Sequence, residues 1–504
     1  MSCLDKNEAV RVTLDGKLCY ATKGTRLSEL AFSELPCGGH GKCGKCKAIA
    51  RGALSELSDT EKKELTPNEI AEGIRLLCCT YALGDCEIKS IEKTSVSEVL
   101  VSGKNEILSL APSFSHYGVA VDIGTTTVAL RLYSRNGTVV SEYGTLNPQS
   151  AYGADVISRI EASMNGHVKE LAVCIRKAID DGIAILCRTA GIDGNEIDYL
   201  VITGNTAMLH LLTEASTEPL SHAPFEAERL FGEVLKASEL GLLSVSPNAG
   251  VYIPPCISAF VGADTVCALL SSGICESNET ALLADIGTNG EMAIAHNGAL
   301  TVCSTAAGPA FEGVGISMGM RGASGAIDRV SIKDGELCAH VIGDTQPVGI
   351  CGSGLVDAVA CLVENETVDE TGYMEDEEAT VASPVVLTQK DIRMVQLAKS
   401  AICAGLCTLL DDSGIGAEKV SRLVLAGGFG SYLDVNNAGR IGLIPGALVD
   451  KTSVIGNAAL DGASMILLNS KLKDECKRLA QKAVTLELSS DKRFSEHYID
   501  GMGF

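Results

Sequence analysis

The chain has 504 residues, 46% hydrophobic and 4% aromatic, and its 41 Lys and Arg stand against 64 Asp and Glu for a formal charge of −23. That length and apolar content predict two to four domains, and the acidic surface, with no basic tract interleaved with aromatics, excludes nucleic acid as a partner. No run reaches the roughly 18 apolar residues of a membrane helix, and the start, MSCLDKNEAVRVTLDGK, lacks the features of a leader, so the expectation is a soluble cytoplasmic protein with no membrane partner.

In chain order, residues 9–20 (AVRVTLDGKLCY) alternate around Asp15-Gly16 and predict a hairpin, residues 25–35 predict a helix, and IKSI at 88–91 predicts a strand closing a small sheet. Between them lies PCGGHGKCGKC, with Cys37, Cys43 and Cys46 in a C-x5-C-x2-C array, followed at a distance by Cys78 and Cys79. The chain holds 20 cysteines, and without an export signal they favour metal or redox chemistry over disulfides. Three closely spaced thiols and a distant fourth are the usual pattern of a [2Fe–2S] cluster. The intervening glycines suit a loop wrapped around sulfide. Other readings of this loop are weaker. Gly39 to Cys46 nearly matches a phosphate-binding Walker loop and nominally a dinucleotide fingerprint, yet no strand precedes it and Cys46 replaces the magnesium-binding hydroxyl. A zinc ribbon wants a second C-x2-C, and unligated thiols remain the bland alternative.

The loop resembles the ferredoxin domains of β-grasp fold, in the subtype with five residues between the first two ligands. The resemblance implies Cys78 as the fourth ligand, through Arg75-Leu76-Leu77-Cys78, with Cys79 a neighbour.

Further on, GVAVDIGTTTVAL at 118–130 and ALLADIGTNGEMAI at 281–294 repeat one pattern of strand, Asp-Ile-Gly-Thr turn and strand. LVITGNTAMLH at 200–210 and LVLAGGFGSYL at 423–433 form a second pair, each a strand entering a Gly-rich turn. A duplicated α/β architecture of two facing lobes follows. Turns rich in Gly and Thr present N–H groups and hydroxyls suited to phosphate oxygens, and the adjoining Asp122 and Asp285 suit Mg²⁺ held through water. Thr388 predicts the N-cap of a long helix with Ile392, Val395, Ile402, Leu406 and Leu409 on one buried face and Gly414 after its end. GPAFEG (308–313) and GICGSG (349–354) predict turns near the cleft, with Glu312 the carboxylate of chemical interest there.

Residues 116–504 resemble the actin, sugar kinase and Hsp70 superfamily of ATPases. By that resemblance Asp122, Gly124, Thr125, Thr126 and Thr127 form the first phosphate loop, and Asp285, Gly287, Thr288, Asn289 and Gly290 the second. Gly427 and Gly428 match its adenosine turn, and Asp122 and Asp285, with Glu291 in reserve, are the catalytic and metal-positioning acids. The domain expectation is a [2Fe–2S] β-grasp domain over 1–94, a linker over 95–115 and an actin-like ATPase over 116–504, its second lobe starting near 280.

Taken whole, the chain resembles the reductive activators of corrinoid proteins. Besides the segments above, NPQSAYGADVISRI (147–160), GICGSGLVDA and LTQKDIRMVQLAK carry that resemblance. It implies ATP-driven delivery of one electron from the cluster to an inactive Co(II) corrinoid on a methyltransferase-system protein. ATP, Mg²⁺, a corrinoid protein and a low-potential electron donor are the implied cofactors and partners, and a homodimer is compatible with it. Longer relatives carry an extra segment before the first phosphate loop that this chain lacks. Composition and spacing alone reach an ATPase with an Fe–S domain, which also fits an activator of 2-hydroxyacyl-CoA dehydratase type, a redox sensor or a small-molecule kinase.

Overall fold

The structure, a computed structural model, describes residues 9–14, 17–30, 46–90, 109–428 and 433–504. It divides into two compact units, residues 1–97 and 98–504.

The first unit is one five-stranded sheet. Strands β1 (Ala9–Leu14) and β2 (Lys17–Thr22) form the expected antiparallel hairpin, and β3 (Lys47–Leu54), β4 (Ile74–Leu76) and β5 (Ala82–Ser90) complete the order β2-β1-β5-β3-β4. The helix expected over 25–35 is a single 3-10 turn at Leu27–Glu29 in its described part, and the rest lies outside the described residues. Two short helices, α1 (Asp59–Glu64) and α2 (Pro67–Glu72), link β3 to β4, each opened by a capping box, Ser58 with Glu61 and Thr66 with Glu69. Glu61 does more than cap. Its carboxylate, fully buried, also takes bonds from Arg75 Nε at 2.8 Å, Thr80 Oγ1 at 2.9 Å and the Leu76 amide at 3.1 Å. Burial pushes this acid up, and those bonds together more than reverse it, holding it down to about 2.

The second unit builds one plan twice. Its first sheet contains β6 (Tyr117–Ile123), β7 (Thr127–Ser134), β8 (Val139–Leu146), β9 (Ile197–Gly204), β10 (Glu233–Lys236) and β11 (Gly250–Ile253), in the order β10-β11-β9-β6-β7-β8. The second repeats it with β12 (Ala281–Ile286), β13 (Gly290–His296) and β14 (Ala299–Thr305) as the antiparallel run, joined by later strands at 422–426, 452–454 and 484–485. In each lobe the Asp-bearing strand pairs parallel with the strand that enters the Gly-rich turn, placing Asp122 beside Thr203 and Asp285 beside Ala426. These central strands are near-continuous apolar runs because helices cover both faces.

The lobes share a core around two helices, α3 (Ala263–Ser272) and α4 (Ala458–Leu468). Val266 and Ile466 from these helices, Val201 from the first sheet and Leu283 and Val424 from the second are buried together. The helices cross at Gly462, where a Cβ would stand 2.1 Å from the Cys267 carbonyl oxygen, so only hydrogen fits. Although it lies between strands of the second sheet in sequence, α4 is anchored to the first lobe: Asp461 accepts from the buried Arg131 of β7 at 2.8 Å. The long helix Gln389–Ser413 has the expected Thr388 cap and Gly414 stop. It is the described helix long and apolar enough to cross a membrane, and it is mostly buried inside the protein.

Candidate functional site

The two Asp-Ile-Gly-Thr hairpins meet across the cleft between the lobes. In the first turn the Gly124 amide bonds the Thr127 carbonyl at 2.8 Å. Every carbonyl of residues 124–126 is bound by another part of the first lobe: Gly124 by Asn147 Nδ2 at 2.8 Å, Thr125 by Arg159 at 2.6 Å, and Thr126 by the Asn147 amide at 2.9 Å. This explains the NPQSAYGADVISRI segment, which supplies both braces. With its carbonyls engaged, the turn is left to offer N–H and hydroxyl groups, as an anion site requires. In the second turn, Gly287 bonds the Asn289 carbonyl at 2.9 Å and the Gly308 amide bonds that of Thr288 at 2.9 Å. Thr126 and Thr288, on opposite lobes, bring their hydroxyls to 3.2 Å.

Four acids line the floor of this cleft. Asn457 donates to Asp122 at 2.9 Å. Burial, with the nearby Asp264 charge, still raises Asp122 to about 7. Asp285 has no hydrogen-bond donor among the described residues, and burial with the charges of Asp264 and Asp122 raises it to about 8. Glu291 pairs across from Asp285 on the hairpin and is pushed well up by burial, Asp264 and Asp285. Asp264, at the start of α3, is raised to about 6 by burial. Such clustering of buried acids with raised pKa values marks a candidate functional site. Sequence reasoning missed Asp264; its only local signal is an Asp after Val261-Gly262-Ala263 at the head of an apolar run. Gly427 sits at φ +122°, and a Cβ there would meet the Ile286 carbonyl oxygen at 2.1 Å, so this turn lies against the end of the Asp285 strand. Gly428 has open space at its Cβ position.

In the first unit, Cys46 and Cys78 are brought together with sulfurs 3.0 Å apart, and the Cys78 amide points to the Cys46 sulfur at 3.4 Å. Cys79 stands 3.6 Å from Cys78. Cys37 and Cys43 lie outside the described residues. Two thiolates on one tetrahedral metal stand about 3.8 Å apart for metal–sulfur bonds of about 2.3 Å, so the Cys46–Cys78 pair fits a thiolate-bound iron after a small opening. No group of three or more His, Cys, Asp or Glu side chains is disposed to hold a metal ion directly among the described residues.

Comparison with known proteins decides the family. The description "C-terminal domain of RACo the ASKHA domain" matches residues 279–504, and "RACo middle region" matches 117–277. The corrinoid activation enzyme RamQ of Eubacterium limosum is 36% identical over 448 residues, 82% of this chain and 75% of that protein. The chain belongs to the RACo family of corrinoid reductive activators. The chain is also similar to the [Co(II) methylated amine-specific corrinoid protein] reductase of Methanosarcina barkeri, at 26% identity over 76% of each chain. A solved structure, the reductive activator for corrinoid, iron–sulfur protein, superposes with a TM-score of 0.74 at 29% identity, covering 98% of both chains. The α/β fold with an actin-like ATPase is thereby established for this RACo family member.

Proposed function

We propose that this RACo family member performs ATP-dependent reductive activation, returning an inactive Co(II) corrinoid on a methyltransferase-system protein to Co(I). The observation that carries the reading is the pair of facing Asp-Ile-Gly-Thr hairpins, linked through Thr126 and Thr288, in a chain 36% identical to a corrinoid activation enzyme.

A [2Fe–2S] cluster supplies one electron per turnover at low potential when bound, and Cys37, Cys43, Cys46 and Cys78 are its proposed ligands. The proposed organisation is a ferredoxin domain over 1–94, a linker over 95–115 and the ATPase over 116–504.

In the cleft, turn amides of 125–127 and 288–290, with the Gly124 and Gly287 amides closing the turns, and the hydroxyls of Thr125, Thr126, Thr127 and Thr288 bind the phosphates. Gly427, packed against the Ile286 carbonyl, and Gly428, with open space at its Cβ position, form the proposed adenosine turn. Asp122, oriented by Asn457, holds Mg²⁺ through water, and Asp285 positions the attacking water, with Asp264 and Glu291 setting its charge. ATP is needed because plant-type clusters sit near about −400 mV, and an acceptor about 200 mV lower costs about 5 kcal/mol for one electron. Differential binding of the partner by the ATP and ADP states supplies that difference.

The test is anaerobic visible spectroscopy of a Co(II) corrinoid protein mixed with this protein and a low-potential reductant. A Co(I) band that requires ATP is the expected result. With a loaded cluster and a competent partner, no Co(I) overturns the reading and favours an ATP-gated donor to another enzyme or a redox sensor.

A further inference from the structure

One carboxylate at the centre of the cleft has no place in the phosphate-binding scheme. Glu312 ends the 3-10 turn Pro309–Glu312, whose Ala310 and Phe311 are buried in the second lobe. Its Oε2 accepts from the hydroxyl of Thr126 at 2.8 Å and from that of Thr288 at 2.7 Å. The two threonines belong to hairpins of opposite lobes, so one oxygen ties both phosphate loops together. An anionic oxygen taking two hydroxyl donors at the junction of two anion-binding turns makes the contacts a phosphate oxygen would make. Two anions do not share such a point, because like charges at contact distance repel strongly in a partly dehydrated cleft.

We propose that Glu312 is a built-in competitor for nucleotide: it latches the two phosphate loops in the nucleotide-free protein and is expelled when the phosphates of a nucleoside triphosphate enter. This rests on the nucleotide site proposed above. While the latch is in place, the Thr126 and Thr288 hydroxyls are satisfied and the lobes are joined at this point without ligand. Nucleotide then binds only the unlatched fraction, which lowers its apparent affinity by that fraction. Glu312 thus acts opposite to Asp122 and Asp285, by leaving the site rather than by staying in it. Its partners are held for the exchange: the Gly308 amide fixes Thr288 through its carbonyl, and Asn147 fixes Thr126 in the same way.

The test is calorimetric titration of the full chain with Mg·ATP, comparing wild type with Glu312→Gln and Glu312→Ala. Glutamine keeps the acceptor and the shape but removes the charge; alanine removes the contact. The latch predicts that both bind ATP at least about fivefold more tightly than wild type, alanine at least as much as glutamine. Should one variant fold poorly by its melting curve, the other carries the comparison. Equal or weaker binding by the folded variants, with wild-type binding intact, overturns the latch and makes Glu312 a supporting ligand of the nucleotide or its metal. Absence of ATP binding by all three proteins overturns the nucleotide site itself, and the latch with it.

Discussion

Two buried acids, one in each unit, are driven in opposite directions. Glu61 in the first unit is held down to about 2 by Arg75, two amides and a threonine hydroxyl. Asp285 in the ATPase cleft is pushed up to about 8, surrounded by other carboxylates. Burial raises both; the difference lies in what the fold supplies around them. A structural acid is given its donors by the chain, whereas a cleft acid is left short of them, and the shortfall is what a metal-bound phosphate can fill. The same contrast separates the two halves of the duplication, since Asp122 has Asn457 and Asp285 has no equivalent among the described residues.

The comparison can be broken or sharpened by substitution. The largest effect is expected from Cys46→Ser, which should abolish the cluster's EPR signal and all Co(I) formation while ATP hydrolysis persists; a retained signal would remove Cys46 from the ligand set. Asp285→Ala should lower phosphate release at least about 100-fold, equivalent to about 2.7 kcal/mol of barrier, with the cluster signal intact and the melting temperature no lower than wild type. A large loss of stability would place Asp285 with the structural acids. Glu61→Gln should do the reverse, destabilising the first unit by about 3 kcal/mol because it leaves the Arg75 guanidinium without its counter-ion, measured by denaturant melting, with phosphate release unchanged.

Acid titration tests the same acid without mutation. The folded carboxyl lies below its usual 4.5, so its contribution is present above that value and lost as the pH falls toward about 2. The first unit of wild type should therefore weaken over that window and the first unit of Glu61→Gln should weaken less; parallel curves would contradict the assignment. Asn457→Ala should have the smallest effect, loosening Asp122 by about 1 kcal/mol and slowing hydrolysis several-fold, read as a change in kcat with the ATP affinity nearly unaltered.

Features written in local pattern were legible before the structure. The pairing of Ala9–Leu14 with Lys17–Thr22, the Thr388 cap with its Asp391 partner and the Gly414 stop each depend on residues within a few positions. The duplicated Asp-Ile-Gly-Thr turns were equally visible, because each hairpin repeats a short string, and GPAFEG drew attention to Glu312. Of the helix expected at 25–35, the described residues carry one 3-10 turn over Leu27–Glu29, and 31–35 lie outside them. The GICGSG segment, expected as a turn, instead starts the helix Gly352–Glu364 after a two-residue strand, its glycines allowing close packing at the helix head.

The sequence by itself determined the two classes of chemistry, thiol-bound metal and nucleotide, and the doubled lobe plan, because residue type, spacing and periodicity carry all three. Only the tertiary structure decided which groups meet. Asp264 joins Asp122, Asp285 and Glu291; Arg131 pairs with Asp461 at a separation of 330 residues; and Glu312 joins two hydroxyls, one of them 186 residues away. Those pairings have no local signal, since a side chain's partner across a cleft is set by how sheets and helices pack.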